Sequence, residues 1–102
     1  MNYKEVQTKR EYRDLLYSLR IESKKLSERF PTILIYKSIY DQISDIINNL
    51  DNNIVFSDEQ IYSRYSIGAI AVKNFDCDNE IFGRKLQDAF GTLFEYWNLP
   101  EI

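Results

Sequence analysis

The sequence predicts an all-α protein: a single compact bundle of four main helices spanning residues 1–102, with an apolar third helix at its centre. Three observations predict it. Apolar residues recur at spacings of three and four through most of the chain, as in helices that bury one face. Glycine and proline number only three and two in 102 residues, too few for a many-turned β protein. The stretch from Tyr65 to Asp76 is apolar on nearly all sides, which suits an interior helix. A chain of this length buries roughly 60 to 70% of the surface its unfolded form exposes, enough for a core without metal or disulfide support. Its 44% hydrophobic and 28% charged residues set it apart from disordered sequences.

The first helix is expected over about residues 3–28. Tyr12, Leu15, Leu16, Leu19, Leu26 and Phe30 share an arc about 100° wide, the width of a core-facing stripe. Lys9, Arg13, Arg20 and Lys24 line one edge of it. They read either as a solvated flank whose alkyl stems cover apolar surface or as a patch for an anionic partner. Pro31 ends this helix by forcing Phe30 towards extended backbone, and it suits the first turn of the next. A second helix over about residues 32–50 carries the stripe Tyr36, Ile39, Tyr40, Ile43, Ile46, Ile47 and Leu50, with Asp41, Asp45 and Asn48 opposite. The polar run from Asn48 to Asn53 stops it.

A full start signal opens the third helix, over about residues 58–74. Ser57 and Gln60 have capping-box spacing, Phe56 and Ile61 are placed for a hydrophobic staple, and Asp58 and Glu59 suit the positive end of the helix dipole. A buried strand over residues 66–72 is disfavoured. Helical phasing runs on from the cap without a turn residue, and a lone strand has no partner for its backbone. The fourth helix, over about residues 80–96, presents Phe82, Leu86, Ala89, Phe90, Leu93 and Trp97 on one face. Gly83 and Gly91 lie inside it at a cost of about 1 kcal/mol each relative to alanine. That cost predicts close approach of a neighbouring helix, at Gly68.

Catalytic chemistry finds no footing. There is no histidine, which removes the commonest general base and the histidine-containing metal motifs. The one cysteine, Cys77, sits among Asp76, Asp78 and Glu80, whose charges raise a thiol pKa rather than lower it. Those three acids alternate like the opening of a calcium loop, but Ile81 stands where the loop needs glycine and Gln87 where it needs a bidentate glutamate. The expectation is a protein with no catalytic residue, no metal and no cofactor. Residues Met1 to Glu5 lack the apolar segment of a secretory signal, and no apolar run reaches membrane-spanning length, so a cytoplasmic address is expected.

Charge and aromatic content point to binding. Residues 1–30 hold eight Lys/Arg against five Asp/Glu, and residues 31–102 hold five against eleven. The acidic larger part favours basic partners and repels nucleic-acid phosphate. Aromatic residues make up 15% of the chain, and Tyr3, Tyr17, Tyr62, Phe94 and Tyr96 fall at or beyond the margins of the apolar stripes. Rings there suit a protein interface.

The run Ile67-Gly68-Ala69-Ile70-Ala71-Val72-Lys73-Asn74-Phe75-Asp76, followed by Leu86-Gln87-Asp88-Ala89-Phe90 and a terminal Leu99-Pro100, resembles the small immunity proteins of bacterial type VI secretion toxins. The likeness is closest to the family that neutralises a NAD(P)+ glycohydrolase effector, and Phe30-Pro31 leading into an amphipathic helix is similar to the same layout. The resemblance spans residues 30–100. It implies a compact helical protein without enzymatic activity that binds a cognate toxin domain in the cytoplasm and blocks its active site. On that reading the candidate toxin-binding residues are Asp58, Glu59 and Tyr62 at the start of the third helix, with Asp76, Asp78 and Glu80 in the following break. All lie outside the predicted apolar stripes. Their plainer reading is as helix caps and solvating charge. The competing class is a helical adaptor or regulator that binds an anionic partner through Lys9, Arg13, Arg20 and Lys24.

Overall fold

The computed structural model describes residues 5–76 and 79–102. Among them are five α-helices, α1 (Lys9–Arg29), α2 (Leu34–Asp51), α3 (Asp58–Arg64), α4 (Ile67–Asn74) and α5 (Ile81–Leu93), then a 3₁₀ turn at Tyr96–Asn98, and no strand. The all-α class holds. α1 packs along both α2 and α5, and α4 lies along α5. The hydrophobic core joins Tyr12, Leu16 and Leu19 of α1 to Ile39, Ile43, Ile46, Ile47 and Leu50 of α2, and to Leu86, Ala89 and Leu93 of α5. These are the expected stripes of the first, second and fourth helices.

α1 starts later than the stripe suggests. Thr8 accepts from the Glu11 amide at 3.1 Å as N-cap, and the Lys9 and Arg10 amides donate to the carbonyls of Pro100 and Glu101 at 2.8 and 3.3 Å. The end of the chain thus satisfies amides that a helix start leaves unpaired. Residues 5–7 run outside the helix. The Glu5 and Val6 amides donate to the buried carboxylate of Asp88 at 3.0 and 3.3 Å, and Thr92 donates to the same group at 2.6 Å.

α2 ends in a turn built by its asparagines. Asn53 takes a left-handed φ of 58°, a conformation asparagine tolerates better than most residues. Its amide donates to Leu50 at 3.0 Å and the Ile54 amide to Asn49 at 2.9 Å. This is the Schellman pattern of backbone closure.

The expected third helix over residues 58–74 is two helices. Its start is as read, with both halves of the Ser57/Gln60 capping box formed. At Tyr65 the backbone turns extended, with φ −123° and ψ 132°, and a new helix begins at Ile67. The reason lies on α2. Gln42 Oε1 accepts from the Ser66 and Ile67 amides at 2.8 and 3.1 Å, and Gln42 Nε2 donates to Ser66 Oγ at 2.9 Å. A side chain from another helix thereby caps α4, so the break needs no local turn residue.

The apolar run is not a central helix either. α4 buries Ile67, Gly68 and Ala71, but Val72 is 65% exposed and Ala69 faces outward. The helix with the largest buried share is α5, with six of its thirteen residues buried, and α1 packs against both α2 and α5. α4 is short enough to lie on the outside of α5 with one face covered.

That packing is antiparallel and close. Gly68 at the start of α4 meets Phe90 near the end of α5, where an added Cβ would come within 2.7 Å of the ring. Phe75 just past α4 meets Phe82 near the start of α5, with centroids 5.3 Å apart. Gly68 therefore serves the close approach expected of it, whereas Gly91 has nothing within 4 Å of an added Cβ. α5 also ends earlier than expected. The chain turns at Phe94 and Glu95 so that Tyr96 is buried against Tyr12, with ring centroids 5.4 Å apart.

The two glycines separate cleanly in a stability measurement. Gly68→Ala should lower unfolding stability by about 1 to 3 kcal/mol through forced displacement of Phe90. Gly91→Ala should leave it unchanged or raise it by up to about 1 kcal/mol, both read by urea titration.

Candidate functional site

α3 carries three of the six candidate residues on an exposed surface. Asp58 and Tyr62 stand four residues apart and Glu59 and Tyr62 three, so both carboxylates border the ring on one helix face. All three side chains are exposed. The Tyr62 ring lies 4.9 Å from Phe94 and 5.9 Å from Phe90, and these two are 5.4 Å apart in an edge-on pair. Both phenylalanines come from the end of α5 and are half-buried. Three rings from two helices thus make a firm apolar platform whose outer member is Tyr62.

The position of α3 is set by α2. Asp45 holds the Arg64 guanidinium with two bonds, at 2.8 and 3.0 Å, and accepts from the Tyr65 hydroxyl at 2.6 Å. The hydrogen bond from Arg64 holds the Asp45 carboxyl below the usual carboxylate range against the opposing effect of its partial burial. Burial first, then the hydrogen bond to Asp45, raises the Tyr65 phenol. Burial likewise raises Tyr12, with the Asp88 charge adding to it. The Tyr12 hydroxyl accordingly stays protonated and donates to the Ala89 carbonyl at 2.5 Å.

The six candidate residues do not form one patch. Asp58, Glu59 and Tyr62 come together on α3. Asp76 and Glu80 come together in the turn before α5, where the Asp76 amide donates to Glu80 Oε1 at 3.2 Å and Asn79 Nδ2 donates to Asp76 Oδ2 at 2.7 Å. Asp78 lies outside the described residues. Glu80 precedes Phe90 by ten residues, about 15 Å of helix, so the two groups sit at opposite ends of the α4–α5 pair. Asp76 and Glu80 shape the turn, and Asp58 and Glu59 have no ion pair among the described residues.

The other expected features also divide. Of the marginal aromatics, Tyr17 and Tyr62 are exposed and Phe94 is half-buried, while Tyr96 is core. Tyr3 lies outside the described residues. On the basic edge, Lys9 donates to the Leu99 carbonyl at 2.7 Å, and Arg13 donates to the Tyr96 hydroxyl at 3.0 Å and pairs with Asp51. With Arg20 lying 5.3 Å over the Tyr17 ring, three of the four cations proposed for an anionic partner are therefore engaged within the chain.

Sequence reading missed Phe90 as part of the platform, because its place in the α5 stripe marks it as core. It also missed Gln42 and Asp45, which look like ordinary polar-face residues of α2. Only their contacts with α3 and α4 distinguish them.

An open groove of about 600 Å³ runs between α1 and α5, lined by Glu5, Glu11, Asp14, Arg84, Lys85 and Asp88 over Val6 and Leu15. Much of its charge is taken up locally: Asp88 by the backbone, and Lys85 by Glu22 at 2.7 Å and Ser18 at 3.1 Å. Among the described residues no three His, Cys, Asp or Glu side chains gather as a metal-holding group. No helix among them is long and apolar enough to cross a membrane.

By class this is a small all-helical protein with exposed rings and, among the described residues, carboxylates that make no ion pair. The family model for Tsi6 matches residues 11–95, and the chain belongs to this family of type VI secretion immunity proteins. Neither the curated proteins nor the solved structures contain a match.

The Asp45 contact generates a pH test. Its folded carboxyl titrates below the unfolded value of roughly 3.9, so its stabilisation is present above that pH and lost as pH falls through the folded value. Asp45→Asn should lower the melting temperature at pH 7. Its deficit against the wild type should then shrink as thermal melts are taken from about pH 4 down to pH 2.

Proposed function

We propose that this protein binds a cognate antibacterial toxin domain and blocks its active site, protecting the producing cell from inside the cytoplasm. The toxin is a NAD(P)+-hydrolysing one. Family membership over residues 11–95 carries this reading. The resemblance of the Ile67–Asp76 run to immunity proteins of NAD(P)+ glycohydrolase effectors supports the finer assignment.

Physical features are compatible with it. A pocket that holds a dinucleotide's phosphates must be electropositive, and the acidic body of this chain presents the complementary potential. Such complementarity speeds encounter and disfavours wrong partners. The ring platform of Tyr62, Phe90 and Phe94 offers the aromatic area that interface centres use. Occlusion requires no bond-making group on the inhibitor.

Co-expression with the toxin domain encoded beside this chain's gene tests the proposal. Cells carrying both should grow and keep their NAD(P)+ pool, while cells carrying the toxin domain alone lose it. With purified components, hydrolysis should fall in proportion to added protein until the two are equimolar. Equal killing with and without this protein would overturn the reading. Protection with an intact NAD(P)+ pool in the unprotected cells would overturn the finer assignment alone.

A further inference from the structure

We propose that the end of the α1–α2 hairpin docks on an anionic lipid surface. Phe30, Ile33 and Leu34 enter the apolar edge of the bilayer, and Lys24, Lys25, Arg29 and Lys37 sit at the phosphates. For a protein acting from the cytoplasm, as proposed above, that surface is the inner leaflet of the cell membrane.

The fold leaves this end bare. Ser23 and Ile39 are buried, but no residue from 24 to 38 is, although Leu26, Phe30, Ile33, Leu34, Ile35 and Tyr36 are among them. Both core-facing stripes thus run on beyond the part of the hairpin that is covered. Every residue from 28 to 34 is exposed, with Phe30 at 38%, Ile33 at 44% and Leu34 at 74%. Tyr36 stands at the base of the patch, its ring 6.1 Å from that of Phe30.

Charge at this end is mostly of one sign. Residues 24–38 hold Lys24, Lys25, Arg29 and Lys37 against Glu28, a balance of +3 in a chain whose net charge is −3. Lys24 and Lys25 make no ion pair among the described residues. Arg29 lies 5.3 Å over the Phe30 ring, which holds its guanidinium at the edge of the patch, and Lys37 is shared with Asp41 at 3.1 Å. Between Arg29 and Lys37 the run from Phe30 to Tyr36 carries no charge. The first turn of α2 holds no acid, so nothing negative interrupts the tip.

An uncharged apolar tip bracketed by cations complements an anionic lipid surface. Apolar side chains enter the boundary between headgroups and acyl chains, and each Lys or Arg near the surface adds attraction. Basic side chains keep their charge at the phosphates while their stems follow the apolar residues inward. Glu22, the next acid back along α1 from Glu28, lies about 12 Å of helix before Phe30, beyond the Debye length of about 8 Å at physiological salt. It is also bonded to Lys85. Shape favours lipid over protein: two helix ends and a turn project outward, and a fluid interface receives them without a cavity cut to fit.

Co-sedimentation of the full chain with vesicles tests the proposal, using phosphatidylglycerol and phosphatidylcholine in equal parts and, separately, phosphatidylcholine alone. The chain should bind the mixed vesicles and not the zwitterionic ones, and binding should fall as salt is raised. Ile33→Ser with Leu34→Ser should weaken it about tenfold or more, as should Lys24→Gln, Lys25→Gln and Arg29→Gln together. Val72→Ser with Ile81→Ser, exposed apolar residues elsewhere, should bind within about twofold of wild type. If the serine pair at the tip loosens the fold, Leu34→Trp carries the test: its emission should shift to the blue with mixed vesicles and stay unshifted with phosphatidylcholine.

A wild type that stays in solution with the mixed vesicles would overturn the proposal. Equal binding to both kinds of vesicle would do the same, as would equal loss in the Val72 and Ile81 variant. Tip variants that keep the vesicles but lose the toxin domain encoded beside this gene would overturn it in favour of a protein partner. The vesicle assay contains no toxin, so its failure leaves the proposed function standing.

Discussion

Two polar side chains on one face of α2 hold the rest in place. Gln42 and Asp45 stand three residues apart, and between them they stop one helix and start another. Asp45 takes the Arg64 guanidinium and the Tyr65 hydroxyl at the end of α3, while Gln42 takes the first amides of α4. Unpaired backbone amides are costly once desolvated, so a chain bent at Tyr65 needs such an acceptor. The bend lets α3 stand off from α4, and this brings Tyr62 against the rings of α5.

The charges of the molecule fall into two populations. Lys9, Arg13, Arg64 and Lys85 are engaged with groups of their own chain: the tail carbonyls, Tyr96 and Asp51, Asp45, and Glu22. Asp88 is buried and engaged with the backbone of residues 5 and 6. Asp58 and Glu59 face outward with no ion pair among the described residues, as do Lys24, Lys25 and Lys73. Exposed pairs contribute little to stability, on the order of 0 to 1 kcal/mol each, so the inward population matters chiefly by fixing geometry. The outward one is available to a partner.

Residues 5 and 6 and residues 99–101 are fastened around the start of α1. Asp88 binds the amides before α1, and the carbonyls of Pro100 and Glu101 bind the first amides within it. The basic edge of the first helix is partly consumed by that closure, since Lys9 reaches Leu99 and Arg13 reaches Tyr96. Positive charge at Lys9 and Arg13 that looks available in one dimension is taken up once the start of α1 meets residues 96–101.

Much of this was legible in the chain itself. Periods of three and four placed α1, α2 and α5 and named their buried residues, because burial of a helix face leaves a direct trace in residue order. The Ser57 cap marked the start of α3 correctly, since its partner Gln60 is three residues away. Asp58, Glu59 and Tyr62 stood out as polar and aromatic groups beyond any stripe. What the sequence could not show was the break at Tyr65, because the groups that cause it stand 20 or more residues earlier on another helix. Nor could it separate Asp76 and Glu80 from the acids of α3, or bring Phe90 beside Tyr62. Periodicity records what each helix does alone; acceptors and rings supplied by other helices leave no such period, and only tertiary packing decides where they meet.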